Sequence, residues 1–237
     1  SALCGMGRAG FRNSFIRACL PRVGRHSRRL CHEYRQSGPV TQGKPDLEPA
    51  PGAATKGRMV RLFTALALPP DIAGALVRRQ TGLPGAAWRP VEALHITLSF
   101  YGEMTLRQAD DLDGELVRAA GRGPLTLSLS GVGAFGDGHR AHAVWAGVAP
   151  NDALHQLAAR CEAAGHRAGL NPPRRAYHPH VTLAYLKPTV RDDRLAAWIQ
   201  GHNLLQSPPF RLDHFGLYSS VTGPNGGTYS LEQEYPL

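Results

Sequence analysis

Two short segments have residue types and spacing suited to acid–base chemistry: Leu94-His95-Ile96-Thr97-Leu98-Ser99-Phe100 and Pro179-His180-Val181-Thr182-Leu183-Ala184-Tyr185. Each reads His, β-branched, Thr, Leu, and the two histidines stand 85 residues apart. Composition alone predicts well under one such match in a chain with 11 histidines. On a strand, residues i and i+2 project to the same face, so each His points with its Thr, while Ile96 or Val181 points into the opposite layer. Two such strands facing one groove set two imidazoles across a phosphate. His titrates near neutral pH, so one ring can accept a proton from attacking water and the other can donate one to a leaving oxygen. The Thr hydroxyls would hold the non-bridging oxygens and stabilise charge as it develops. Side chains alone then supply both proton transfers and the electrostatics, and the chemistry needs no metal and no cofactor.

The bland alternative is a pair of core strands whose histidines are satisfied by backbone partners, a reading that suits either motif alone better than the matched pair. His178 stands two before His180 and shares its face, but nearby acidic or Cys ligands for a metal are lacking. His139, His142, His155, His166, His202 and His214 read as surface or packing residues.

The elements that must carry these motifs alternate between periods of 2 and 3.6. Strands are expected at 61–68, 94–101, 141–148 and 180–186, with terminal strands near 210–218 and 228–234. The alternation of Leu125, Leu127 and Leu129 with Thr126, Ser128 and Ser130 reads as one further half-buried strand. Helices are expected from Asp71 after Pro69-Pro70, over 106–120 following Thr105, from Asn151 or Asp152 to about Ala168, and near 192–200. The fold class is α+β with several antiparallel pairings.

The chain has 237 residues, with 42% hydrophobic and 19% charged residues, as a folded soluble protein does. No apolar run approaches the roughly 18 residues of a membrane-spanning helix. The net charge of +9 invites a polyanion partner, but its distribution is uneven. Residues 1–58 carry 11 of the 27 Lys and Arg and three of the 18 Asp and Glu, a net +8, leaving +1 for the rest. That first segment mixes Arg, Gly and Ser with Pro39, Pro45, Pro49 and Pro51 and lacks sustained periodicity. It is expected to be a disordered extension, either a leftover of the start site or a transit-like or nucleic-acid-binding arm. Met59 reads as a natural start, and 59–237 as the folded domain. Cys4, Cys19, Cys31 and Cys161 form no Cys-x-x-Cys pair, which points to a reducing, cytoplasmic setting.

The paired motifs resemble the 2H (two-histidine) phosphoesterase superfamily. More narrowly, they resemble the bacterial RNA 2′,3′-cyclic phosphodiesterases, also called 2′-5′ RNA ligases. The flanking segments carry the likeness further: Met59 to Leu66, Trp88-Arg89-Pro90, Phe100-Tyr101-Gly102-Glu103, Tyr177-His178, and Leu217 to Ser220 with Tyr229 to Leu237. The resemblance implies two pseudosymmetric lobes of antiparallel sheet backed by helices around a central cleft, one motif from each lobe. It implies hydrolysis of a 2′,3′-cyclic phosphate to a 2′-phosphomonoester, with His95 as proton donor, His180 as proton acceptor and Thr97 and Thr182 on the phosphate. In some members it implies 2′-5′ ligation as well. The expected partners are RNA 3′ ends or small cyclic nucleotides, with no membrane, no obligatory protein partner and a monomeric chain.

Two positions depart from that pattern. Tyr185 stands where the family often has Arg, and Ser99 where Lys is common. Tyr185 remains able to donate a hydrogen bond or stack on a base, while Arg174, Arg175 or Lys187 are the nearby candidates for the missing cation. Phe63, Phe100 and Tyr218 are candidates to flank a nucleobase. A catalytically silent module gripping RNA ends is the alternative function, and a small cyclic phosphate such as an ADP-ribose derivative the alternative substrate.

Overall fold

The computed structural model describes residues 59–136, 140–172, 176–223 and 226–237. The basic segment 1–58, and with it the expected extension, lies outside the described residues. Among those described are ten strands and four α-helices, an α+β fold as expected.

Strand β1 (Met59–Ala67) pairs along its length with β3 (His95–Thr105), from Met59↔Thr105 to Ala67↔His95. Its other edge takes β9 (His214–Gly223), which forms a hairpin with β10 (Gly226–Pro236). These four antiparallel strands, in the order β10-β9-β1-β3, form the first lobe. The second is built on β7 (His180–Leu186), flanked by β6 (Ala141–Val148) and then β5 (Leu129–Gly136), with the short β2 (Ala86–Trp88) on the opposite edge of β7. One antiparallel register pair, Ile96↔Val181, joins the lobes. Both residues are fully buried.

Helices cover these sheets and start where local chemistry dictates. Helix α1 (Pro70–Val77) begins at Pro70, one residue before the expected Asp71, because proline suits a first-turn position that needs no donor. Helix α2 (Leu106–Ala119) opens with a capping box: the Gln108 N–H donates to Thr105 Oγ1 and the Thr105 N–H to Gln108 Oε1. Its buried residues Ala109, Leu112, Leu116 and Ala119 recur at helical spacing. Helix α3 (Asp152–Arg167) is capped by Asn151, whose Oδ1 accepts from the Leu154 N–H at 2.9 Å. It binds the first lobe through Tyr101, whose hydroxyl donates to the Cys161 carbonyl at 2.9 Å. A Cβ at Gly165 would lie 2.7 Å from the Tyr101 ring, so only glycine lets the helix approach this closely. Helix α4 (Asp192–His202) buries Leu195 and Trp198 against the second lobe.

Two expected strands are broken. Leu125 to Ser130 is split: β4 (Leu125–Leu127) pairs with β8 (Phe210–Leu212) in a separate two-stranded sheet, and β5 begins at Leu129. The exchange occurs where the Ser128 carbonyl accepts from the Ala149 N–H and the Leu129 N–H donates to Ser207 Oγ. Leu125, Leu127 and Leu129 are buried on both sides of the break, so the alternation runs through it unchanged. The 210–218 strand breaks likewise at Asp213, whose carbonyl accepts from the Leu237 N–H. Strand β3 continues four residues past the expected Tyr101, and β2 has no counterpart among the expectations. Among the described residues no helix is long and apolar enough to cross a membrane.

Candidate active site

The Ile96↔Val181 pair sits at the middle of both motifs, and antiparallel pairing of equivalent residues has a strict consequence. Stepping one residue either way sets His95 across from Thr182 and Thr97 across from His180, all four on the face opposite Ile96 and Val181. A cavity of about 270 Å³ opens there, and His95, Thr97, His180 and Thr182 all line it. Tyr177 fixes this arrangement from the loop before β7 by donating its hydroxyl proton to the Thr97 carbonyl at 3.1 Å.

Each imidazole is tethered to the backbone two residues upstream. His180 Nδ1 lies 2.7 Å from the His178 carbonyl, which can only accept, so Nδ1 carries the proton and Nε2 keeps its lone pair. His95 has the matching partner, the Ala93 carbonyl. Aromatic rings enclose both. Phe63 and Tyr229 lie 5.1 and 5.2 Å from His95 between ring centres, and Phe135 lies edge-on at 4.7 Å from His180. Burial disfavours the charged form and lowers the His95 pKa to about 4, with the Ala93 carbonyl opposing and the charge of Arg89 adding to the shift. The His180 pKa is also lowered, mainly by burial. At neutral pH burial therefore favours the neutral form of both rings.

Of the other candidates, Phe63, Phe100 and Tyr185 line the cavity, whereas Tyr218 stacks behind Phe63 at 5.5 Å. Arg174 and Arg175 lie outside the described residues, and Lys187 is exposed away from the lining. Among the described residues the cations in the cavity wall are Arg61 and Arg89. Exposed Arg61 lies over the Phe100 ring at 4.8 Å. Arg89, which follows β2, is buried with its guanidinium 5.5 Å from the Tyr185 ring centre and 5.4 Å from that of Tyr229. In the sequence, Arg89 and Tyr229 stand out only as parts of Trp88-Arg89-Pro90 and Tyr229 to Leu237. The one signal for Arg89 was its place in Trp88-Arg89-Pro90, and nothing local revealed that β2 would lie beside Tyr185. Ser99 is buried outside the lining, its carbonyl accepting from Thr64. Among the described residues no cluster of three metal-ligating side chains occurs.

Residues 68–224 match the family described as the 2′-5′ RNA ligase superfamily, well over half of the chain. The chain belongs to the 2′-5′ RNA ligase superfamily. An RNA 2′,3′-cyclic phosphodiesterase of Thermus thermophilus is 30% identical over 193 residues, covering 75% of this chain and 90% of the relative. Another, from Geobacillus stearothermophilus, is 32% identical over 105 residues, 44% of this chain, and there the match spans only 33% of the relative. Among solved structures, E. coli LigT complexed with 3′-AMP superposes with a TM-score of 0.60 at 27% identity, covering 76% of this chain and 99% of LigT. As a superfamily member the chain has the expected two-lobed α+β architecture.

Proposed function

We propose that this protein hydrolyses a 2′,3′-cyclic phosphate, at an RNA 3′ end or on a small nucleotide, to a 2′-phosphomonoester. The observation that carries this reading is the register pair at Ile96 and Val181, which gathers both His-Thr sets on one cavity floor. Likeness to relatives that are RNA 2′,3′-cyclic phosphodiesterases, and to a LigT structure holding 3′-AMP, supports the substrate class.

The backbone tether leaves Nε2 of His180 as a lone-pair acceptor, suited to take a proton from water as its oxygen attacks phosphorus. His95 delivers its proton to O3′ as the P–O3′ bond breaks, leaving the phosphate on O2′. Thr97 and Thr182, each opposite the other motif's histidine, donate to the non-bridging oxygens as negative charge grows there. His95 must be protonated for this step although burial favours its neutral form. The phosphodiester anion supplies the countercharge and so brings the proton with it. A 5′-hydroxyl in place of water undergoes the same proton transfers and yields a 2′-5′ linkage. The cavity suits a chain end or a nucleotide rather than a duplex.

The test is incubation of the protein with an oligonucleotide ending in a 2′,3′-cyclic phosphate in excess EDTA, followed by identification of the product. A 2′-phosphate is expected. A 3′-phosphate would place the leaving group at the wrong oxygen, and binding without turnover would make the protein an RNA-end-binding module.

A further inference from the structure

Arg89 occupies an expensive position. Its residue is 5% exposed, and among the described residues its guanidinium makes one hydrogen bond, from Nη2 to the Gly227 carbonyl at 3.2 Å. No carboxylate pairs with it among the described residues. A guanidinium has five N–H donors, and a buried cation short of acceptors and countercharge is strongly disfavoured. The donors left over are not sealed in the protein: among the described residues Trp145 Nε1 is the one buried side-chain polar atom lacking a partner. They open instead onto the cavity that Arg89 lines together with both motifs. The guanidinium carbon lies over the rings of Tyr185 and Tyr229, and neither ring is a hydrogen-bond partner of its N–H groups. Its charge is close enough to oppose protonation of His95, so both groups address the same space.

We propose that Arg89 is the anion anchor of this site, its free donors gripping the phosphate oxygens while Tyr185 and Tyr229 clamp it in place. The assignment makes Tyr185 a holder of a cation supplied from beside β2. It rests on the cyclic-phosphate reading only for what the phosphate is attached to, because the binding itself is of phosphate. A planar fork suits two phosphate oxygens at once, and the developing dianion gains more from it than the monoanionic diester.

The experiment titrates the full chain with inorganic phosphate, comparing wild type with Arg89→Met and Arg89→Lys by calorimetry, and measures turnover of a 2′,3′-cyclic mononucleotide in parallel. Arg89→Met is expected to weaken phosphate binding at least about 10-fold and to lower kcat/KM by about 100-fold or more, chiefly through kcat, with Arg89→Lys in between. Unchanged phosphate affinity in a folded Arg89→Met overturns the proposal, since a purely structural arginine would lower only the unfolding temperature. If Arg89→Met does not fold, the Arg89 Nε–H signal of the wild type, assigned through Arg89→Lys, must move as phosphate is added. A signal that stays fixed overturns the proposal as well. Arg89-dependent phosphate binding in a protein with no turnover would uphold the anchor and refute the cyclic-phosphate reading. Normal turnover with phosphate affinity independent of Arg89 would do the reverse.

Discussion

A histidine that folding keeps neutral must weaken the fold in acid, and His95 allows the size to be worked out. Its folded pKa is about 4 against an ordinary 6.5, chiefly through burial beneath Phe63 and Tyr229. The unfolded chain takes up this proton first as pH falls. The folded state is thus at full advantage above the unfolded value and loses it progressively until pH passes the folded value. At about 1.4 kcal/mol per unit, the loss is about 2 kcal/mol by about pH 5 and about 3 kcal/mol by about pH 4. His180 shifts in the same direction and adds a loss of its own. Replacing His95 by Gln removes the titrating group. Urea unfolding of wild type and His95→Gln at about pH 7.5 and about pH 5 should show the wild type losing about 2 kcal/mol more over that interval. Equal losses in the two proteins would mean that the ring is solvated and that the account of its protonation is wrong.

Ile96, fully buried at the junction of the lobes, should cost about 2–5 kcal/mol when cut to Ala, since its cavity opens where the two halves of the sheet meet at the Ile96↔Val181 pair; chemical denaturation gives the value, and turnover measured well below the midpoint should fall further than stability alone requires. Tyr177→Phe removes the hydroxyl that holds the Thr97 carbonyl, with an expected loss of about 1 kcal/mol in unfolding free energy. The same variant should show a fall in kcat larger than any rise in KM, readable by steady-state kinetics.

Much of this architecture is legible in the chain. The 141–148 and 180–186 strands have the observed bounds, because alternation or a short apolar run is bracketed by turn residues. Helices α2 and α3 begin where Thr105 and Asn151 can cap them. The strand breaks at Ser128 and Asp213 are invisible because buried leucines alternate straight through a change of hydrogen-bonding partner, and partner choice is a tertiary matter. The same holds for the site. The His-Thr pairs announce themselves by repetition, and their meeting follows once two equivalent strands pair antiparallel at their centres. Arg89 does not announce itself, because its role depends on β2 lying against β7, a three-residue pairing with too little sequence to carry a pattern. At Tyr185, where the family often has a cation, the guanidinium of Arg89, the residue that follows β2, lies over the ring.

His95 and His180 are proposed to act as one acid–base pair on one phosphate, and a double-mutant comparison decides the matter. His95→Ala, His180→Ala and the double variant are to be assayed on a 2′,3′-cyclic-phosphate oligonucleotide under single-turnover conditions. Groups that act as a unit fail together. Each single variant should lose about a thousandfold or more, and the double variant should be no worse than the poorer single one. Losses that multiply, or a single variant that keeps most of the wild-type rate, would contradict the paired mechanism.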